Sequence, residues 1–208
     1  MDWTAFGPLV LPYATTASAP LLKQHARLAA IEFLAHTKAW QAELAPIACN
    51  GVLTLFQLVL PADSAVEKLL AVDVTDTYGN ISGAGVKTAL YGARLVRQGS
   101  RDLIAYTADR AKLTLLPVQP TGSTFVATVA LKPAMDADTL PDEVFEQYGA
   151  AIAKGALSSL LAIKDKPWTD TSLARLNFVE FNNAKSVTAR EVERGFARSG
   201  RRPATRWF

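Results

Sequence analysis

Apolar residues recur at helical spacing near the start of the chain. In residues 18–40 the apolar positions lie three, four or seven residues apart: Leu22, Ala26, Ala29, Phe33 and Trp40. This spacing places them on one face of an α-helix. Ser18 is a suitable N-cap, and Pro20 fits the first turn because a first-turn N–H has no partner within the helix. The pattern predicts an amphipathic helix.

Helical spacing returns after residue 138. The apolar positions are again three or four residues apart: Val144, Tyr148, Ile152, Ala156, Leu160 and Ile163. Thr139 is the expected cap of this helix, and Pro141 lies in its first turn. Pro167 disfavours a helical conformation in the residue before it. We therefore expect a last helix that is capped by Asp170 or Thr171 and ends at Gly200.

The middle of the chain has the alternating pattern of β-strands. Residues 51–61 are rich in β-branched and aromatic side chains, and residues 124–133 alternate most regularly. Glycines in the segment 79–85 indicate a turn or loop. We expect residues 51–133 to form an antiparallel unit of about four to six strands.

The order of these elements predicts an α+β fold. It is a bundle of three or four helices with a small antiparallel β-sheet insertion and an extended C-terminal arm. The expected divisions are an N-terminal bundle helix, a β insertion, the C-terminal bundle helices and the arm: residues 1–50, 51–135, 136–194 and 195–208.

Charge is concentrated at the end of the chain. The net charge is +3 over 208 residues, yet the segment from Lys185 onward has seven basic and two acidic residues. Half of the residues are hydrophobic, which is enough for a sizeable core. No basic leader and no apolar run of about 20 residues is visible. We therefore expect a protein made in the cytoplasm that does not enter a membrane.

The residue types that commonly carry chemistry form no recognisable site. The glycines of 79–85 lack the Lys-Ser/Thr and strand–turn–helix context of a phosphate-binding loop. Cys49 has apolar neighbours and reads as a buried, inert thiol. His25 and His36 are eleven residues apart and read as ordinary helix residues. The sequence thus predicts no enzyme, no cofactor and no metal site.

The C-terminal arm, residues 195–208, carries the strongest functional signal. Arg190, Arg194 and Arg198 lie four residues apart, which predicts a basic stripe on one helix face. A solvated helix face and contact with nucleic-acid phosphates both remain open. We favour a protein-binding surface, because arginine and large aromatics are the side chains that most often anchor interfaces. The candidate partner-binding residues are Arg198, Arg201, Arg202, Arg206, Trp207 and Phe208.

Two stretches resemble the head-to-tail connector adaptor (head completion) proteins of tailed bacteriophages. They are "LLKQHARLAAIEFLAHTKAWQAEL" and "LPDEVFEQYGAAIAKGALSSLLAIKDKPWTDTSLARLNFVEFNNA", with the break at Pro167, Trp168 and Asp170 between two helices. The resemblance implies a virion protein of the neck that forms a homo-oligomeric ring, commonly a dodecamer, beneath the portal protein. It further implies a C-terminal segment on the portal, a tail or nozzle protein below, and double-stranded DNA in the lumen without sequence-specific contact.

Some alternatives stay open. Another neck or tail-terminator ring component, or a nucleic-acid-binding module, fits the same residues. The small residues of 149–159 suit either packing between subunits or packing within the bundle. The glycine-rich loop 79–85 is a candidate contact for the next tail component.

Overall fold

The structure, a computed structural model, describes residues 1–83, 85–86, 104–109 and 111–194. The C-terminal arm and the expected helix end at Gly200 lie outside the described residues, as does part of the loop 79–85.

The described part is an α+β fold, which confirms the predicted class. A 3₁₀ turn at Trp3–Phe6 precedes the four helices that this part contains: α1 (Gly7–Val10), α2 (Ala19–Thr37), α3 (Asp142–Leu161) and α4 (Thr171–Arg194). The described residues between α2 and α3 form nine strands: β1 (Gln41–Glu43), β2 (Ile47–Ala48), β3 (Leu55–Gln57), β4 (Ser64–Thr75), β5 (Ile81–Gly83), β6 (Gly85–Val86), β7 (Ile104–Asp109), β8 (Lys112–Leu116) and β9 (Thr124–Pro133).

The strands form two sheets. In the first the order is β1-β9-β4-β5, with β2 also paired to β9, and all of these pairs are antiparallel. In the second the order is β3-β8-β7-β6. Here β6 and β7 run parallel, unlike the other described pairs and unlike the wholly antiparallel unit that we predicted. The first sheet also takes in β1 and β2, which precede the expected start of the strands at residue 51.

Strand β9 organises the β region, as its regular alternation predicts. Phe125, Ala127 and Val129 are fully buried, while the side chains between them are partly exposed. The register places Phe125 opposite Val74, and Val129 opposite Leu69, both on the long strand β4. Their inward side chains form the main part of the core beneath the sheets.

The bundle has a separate core, to which the N-terminal segment contributes more than its sequence suggests. Trp3, Phe6 and Val10 are buried against α2 and α3. The indole Nε1 of Trp3 donates to the carbonyl of Ala137 at 2.9 Å, so its one polar atom is satisfied. These three residues lie three and four positions apart, which is the helical signal that the glycine and proline nearby obscure.

Trp40 connects the two cores. It packs against both hydrophobic clusters, and its carbonyl accepts from the backbone N–H of Leu131 at 2.7 Å. A second connection is polar, because the Asp63 carboxylate accepts from the N–H and hydroxyl of Thr139 at 3.0 and 2.6 Å. The β region and the bundle are therefore joined by both apolar and polar contacts.

The helix caps differ from expectation in part. Thr139 does not cap α3, because Pro141 occupies the N-cap position and the Thr139 side chain binds Asp63 instead. Ser18 is at the N-cap of α2, but its side chain makes no capping hydrogen bond. Asp170 is confirmed as the cap of α4, since its Oδ1 accepts from the N–H of Leu173 at 2.9 Å.

Candidate protein-binding surface

Helix α4 has apolar side chains on the side that faces away from the bundle. Leu176, Val179 and Val187 are 54%, 48% and 46% exposed. Residues of a helix advance by about 100° each, which places these three opposite the buried positions of the helix. The buried positions are Ala174, Asn177, Phe181, Lys185 and Thr188. A helix of a single-chain bundle normally has polar residues on its outer side. The apolar outer side is therefore a candidate interface.

An apolar groove of about 290 Å³ runs along one side of α4. The lining side chains come from the N-terminal segment, α3 and α4, and most of them are apolar: Leu9, Tyr13, Ala153, Leu157, Leu173 and Leu176. At its edge Lys154 and Glu180 form an ion pair at 2.8 Å, with both side chains half exposed. The groove thus has an apolar lining and a charged but locally neutral edge.

A second depression of about 320 Å³ lies on the other side of α4. It is shallow and lined by Ser158, Ala162, Thr171, Ala174, Arg175 and Phe178. The Phe178 ring is exposed beside it. The first two turns of α4 are consequently a ridge with apolar groups on its crest and on both sides.

The N-terminal segment positions Leu9 and Tyr13 at the groove. The Asp2 carboxylate accepts from the N–H of Thr4 at 2.7 Å and from Lys23 at 3.0 Å. These hydrogen bonds lower the pKa of the Asp2 carboxyl to about 2, and the bonds with Thr4 contribute more to this shift than the bond with Lys23. With Trp3, Phe6 and Val10 inward, Leu9 and Tyr13 are left outward beside α3.

Helix α3 packs closely against α2 and α4 because it is rich in small residues. A Cβ atom on Gly155 would lie 2.8 Å from Cε2 of Phe181 and 3.0 Å from Cβ of Ala29. Three helices therefore meet at a position that only glycine fits. Of the two interpretations of the small residues in 149–159, packing within the bundle is the one that the structure shows here.

The buried side of α4 contains an ion pair. The Lys185 ammonium donates to Glu32 on α2 and lies 4.6 Å from the centre of the Phe181 ring. The Lys185 side chain is 8% exposed, whereas that of Glu32 is 58% exposed. The charge of Lys185 is thus compensated by one carboxylate and one aromatic face. No sequence pattern marks this pair, because lysine is seldom buried.

The single cysteine and the histidines are not grouped into a reactive site. Cys49 is buried, and burial raises the pKa of its thiol. Nδ1 of His25 lies 2.7 Å from the Ser159 hydroxyl, and partial burial lowers the pKa of His25. Among the described residues, His, Cys, Asp and Glu form no cluster of three or more that could hold a metal ion. None of the helices in the described ranges is long and apolar enough to cross a membrane.

The basic positions predicted from sequence are only partly within the described chain. Arg190 and Arg194 lie on α4 and are exposed, and Nε of Arg190 donates to the carbonyl of Ser186 at 3.0 Å. The predicted partner-binding residues all lie outside the described residues: Arg198, Arg201, Arg202, Arg206, Trp207 and Phe208.

The groove was missed from sequence, although part of its signal was present. Leu173, Leu176 and Val179 are three residues apart, which indicates an apolar strip, but the sequence does not tell which apolar strip of a helix meets the core. Leu9 and Tyr13 line the groove only because the N-terminal segment folds against α3, and no sequence pattern indicates that packing.

Comparison with known proteins adds no relative. No protein-family model matches the chain, and no curated protein matches it. The candidate surface is therefore defined by its geometry: an apolar ridge on α4, a groove beside it, and no ionisable cluster in the described part of the groove lining beyond the pair Lys154–Glu180.

Proposed function

We propose that the chain is a virion structural protein that forms a head-to-tail adaptor ring. The ring docks on the portal, continues the DNA channel and provides the attachment surface for the tail or nozzle protein. The observation that carries the proposal is the exposed apolar ridge of α4, with Leu176 and Val179 on its outer side next to the groove and Phe178 beside the second depression. Exposed apolar surface of this kind is typical of proteins that bind other proteins.

A ring also needs two different surfaces on each copy, because only a heterologous contact can close into a cycle with more than two members. The β region offers a second apolar surface at residues 52–59. Val52 and Val59 are 76% and 75% exposed, and Leu53 and Leu55 are about half exposed. Oδ1 of Asn50 accepts from the N–H groups of Val52 and Leu53 at 3.1 and 2.8 Å, which holds this segment in a defined turn. Contact between the ridge of one copy and this turn of the next would build such a ring.

The pairing of α3 and α4 supports the same proposal. The two helices are joined by the segment that contains Pro167, Trp168 and Asp170, on which the resemblance to phage adaptors depends. In the proposed neck assembly the C-terminal arm binds the portal through its arginines and through Trp207 and Phe208. The role is mechanical, and it requires neither a cofactor nor an enzymatic step.

Reconstitution with a portal protein encoded in the same genome tests the proposal. We expect a ring of this chain beneath the portal in negative-stain images, and co-migration of the two proteins in size-exclusion chromatography with light scattering. The double variant Leu176→Glu/Val179→Glu should keep its fold but lose the ring. Leu28→Glu is the matched control, because Leu28 is a similarly exposed apolar residue on α2.

Two results would contradict the proposal. One is the absence of any complex with the portal by the full chain. The other is binding to duplex DNA that falls steeply with salt and needs no portal, which would favour the nucleic-acid-binding alternative.

A further inference from the structure

The groove between the N-terminal segment, α3 and α4 is an apolar site that no described residue fills. Its volume of about 290 Å³ and its lining by Leu9, Leu157, Leu173 and Leu176 suit a large apolar side chain. A site of this size is at the lower end of pockets that bind small ligands, about 300 Å³. It therefore fits one or two aromatic rings and is too small for a folded element.

We propose that, in the isolated protein, the groove binds the aromatic end of its own chain, Trp207 and Phe208. The inference does not depend on the ring proposed above, because it concerns a single copy. In the proposed neck assembly, the portal would compete with the groove for Trp207 and Phe208.

The length of the C-terminal arm allows this contact. From Glu180 beside the groove to Arg194, the axis of α4 rises by about 21 Å at 1.5 Å per residue. Trp207 is thirteen residues beyond Arg194. An extended chain of that length spans about 43–47 Å. The arm is consequently long enough to return along α4 and to place Trp207 and Phe208 in the groove.

The charges of the arm and the body are complementary. Residues 195–208 contain four arginines and no acidic side chain, whereas residues 1–194 contain eighteen Lys and Arg against nineteen Asp and Glu. The return path along the groove side of α4 passes the exposed carboxylate of Glu191, which lies on the same side of the helix as Leu173 and Glu180. An arginine of the arm thus meets an acidic group on the way, and the two apolar rings meet the apolar lining at its end.

The tether favours the chain's own arm over that of a second copy. A short flexible connection gives an effective concentration in the millimolar range. At micromolar protein the arm of another copy is far more dilute, so even a weak aromatic contact is made within the chain.

Photo-crosslinking of the full-length protein tests the inference. A benzoylphenylalanine at position 176 (Leu176→benzoylphenylalanine) lines the groove. The matched control has the same substitution at Val187, which is similarly exposed on the same helix but does not line the groove. A protease that cuts after glutamate releases residues 194–208 as one peptide, because Glu193 is the last acidic residue. Crosslinks between position 176 and this peptide are then counted by mass spectrometry.

We expect crosslinks from position 176 to residues 203–208 at several-fold the yield of the control, and loss of these crosslinks in the background Trp207→Ala/Phe208→Ala. Mixing ¹⁵N-labelled and unlabelled protein distinguishes the source of the arm. Crosslinks that join two labelled or two unlabelled peptides, without mixed pairs, support the inference. Crosslinks that join a labelled peptide to an unlabelled one overturn it in favour of a second copy. Equal yields of crosslinks to residues 203–208 from positions 176 and 187, or crosslinks to these residues that persist without the two aromatic side chains, overturn it as well.

Discussion

Gly155 on α3 lies directly against the ring of Phe181 on α4. A Cβ atom at position 155 would be 2.8 Å from Cε2 and 2.9 Å from Cζ of that ring. Both residues are buried, and the Phe181 ring is also in contact with Phe33, with the ring centres 6.1 Å apart. The ring therefore has little room to move, and the closeness of α3, α4 and α2 depends on the missing side chain.

Gly155→Ala should destabilise the protein. Alanine favours a helix over glycine by about 1 kcal/mol. The overlap with Phe181 and Ala29 opposes this gain, and overpacking of a core typically costs about 1–3 kcal/mol. We expect a net loss of up to about 2 kcal/mol in the free energy of unfolding, measured by urea denaturation.

Gly149→Ala on the same helix is the matched control. A Cβ atom there would be 3.2 Å from Cδ2 of Phe145, a partly buried side chain one turn earlier. Because that ring can shift, the helix propensity of alanine should dominate, and stability should be unchanged or slightly higher. An equal loss in both variants would show that the contact with Phe181 is not the cause.

The Lys185–Glu32 pair predicts an asymmetric response to mutation. Glu32→Ala leaves a nearly buried ammonium without its carboxylate, so we expect a loss of about 1–3 kcal/mol in urea denaturation. Lys185→Met keeps the apolar stem against Phe181 and leaves Glu32 solvated, so the change should be below about 1 kcal/mol.

The double variant Glu32→Ala/Lys185→Met is the control for this pair. Its stability should be close to that of Lys185→Met alone, because no buried charge remains. If Glu32→Ala is as stable as the parent protein, Lys185 has another means of compensating its charge in solution.

The sequence predicted those elements whose own pattern decides their structure. Strand β9 and helix α2 each have a regular apolar period over ten or more residues, and both are present in the structure. Helix α2 ends at Thr37, however, so Trp40, which was expected on its apolar face, lies beyond its end. Strands β1 and β2 are three and two residues long and depend on their pairing with β9, so no local pattern marks them. Thr139 was misread because a threonine before a helix is normally a cap, whereas here Asp63 on a distant segment binds it.

The candidate surface was less predictable than the fold. The apolar residues of α4 are visible in the sequence, yet which of them face the core is decided by the packing of α4 against α3. Polar Asn177, Lys185 and Thr188 are buried, while Leu176 and Val179 are exposed, which is the reverse of the assignment that hydrophobicity alone suggests.

His25 predicts a fall in stability on acidification. Partial burial disfavours its charged form, so its pKa in the folded protein is below the value of 6.5 that applies to the unfolded chain. Between these two pKa values the unfolded chain binds more protons than the folded one. The contribution of neutral His25 to the free energy of unfolding is therefore fully present above pH 6.5. It is lost as the pH falls through the pKa that His25 has in the folded protein.

Thermal unfolding between pH 7.5 and pH 5 measures this effect. The variant His25→Gln should lose less of its melting temperature over this range than the parent protein does. His36→Gln is the control and should keep the parent's pH dependence, since His25 is intact in it. Identical pH profiles for the parent and His25→Gln would show that other groups determine the acid sensitivity.

The contact between Asp63 and Thr139 is expected to stabilise the junction of the β region and the bundle. Asp63 has a left-handed backbone with φ of 58°, which aspartate and asparagine tolerate better than alanine. Asp63→Ala loses both hydrogen bonds and adds backbone strain, so we expect a loss of about 1–2 kcal/mol in urea denaturation. Asp63→Asn keeps an acceptor oxygen and the tolerance for this backbone, and should lose less stability than Asp63→Ala.

Asp138→Ala is the control, because Asp138 is an exposed residue next to Thr139. It should change stability by no more than about 0.5 kcal/mol. Equal losses for Asp63→Ala and Asp63→Asn would mean that the negative charge, and not the hydrogen-bond geometry, holds the junction together.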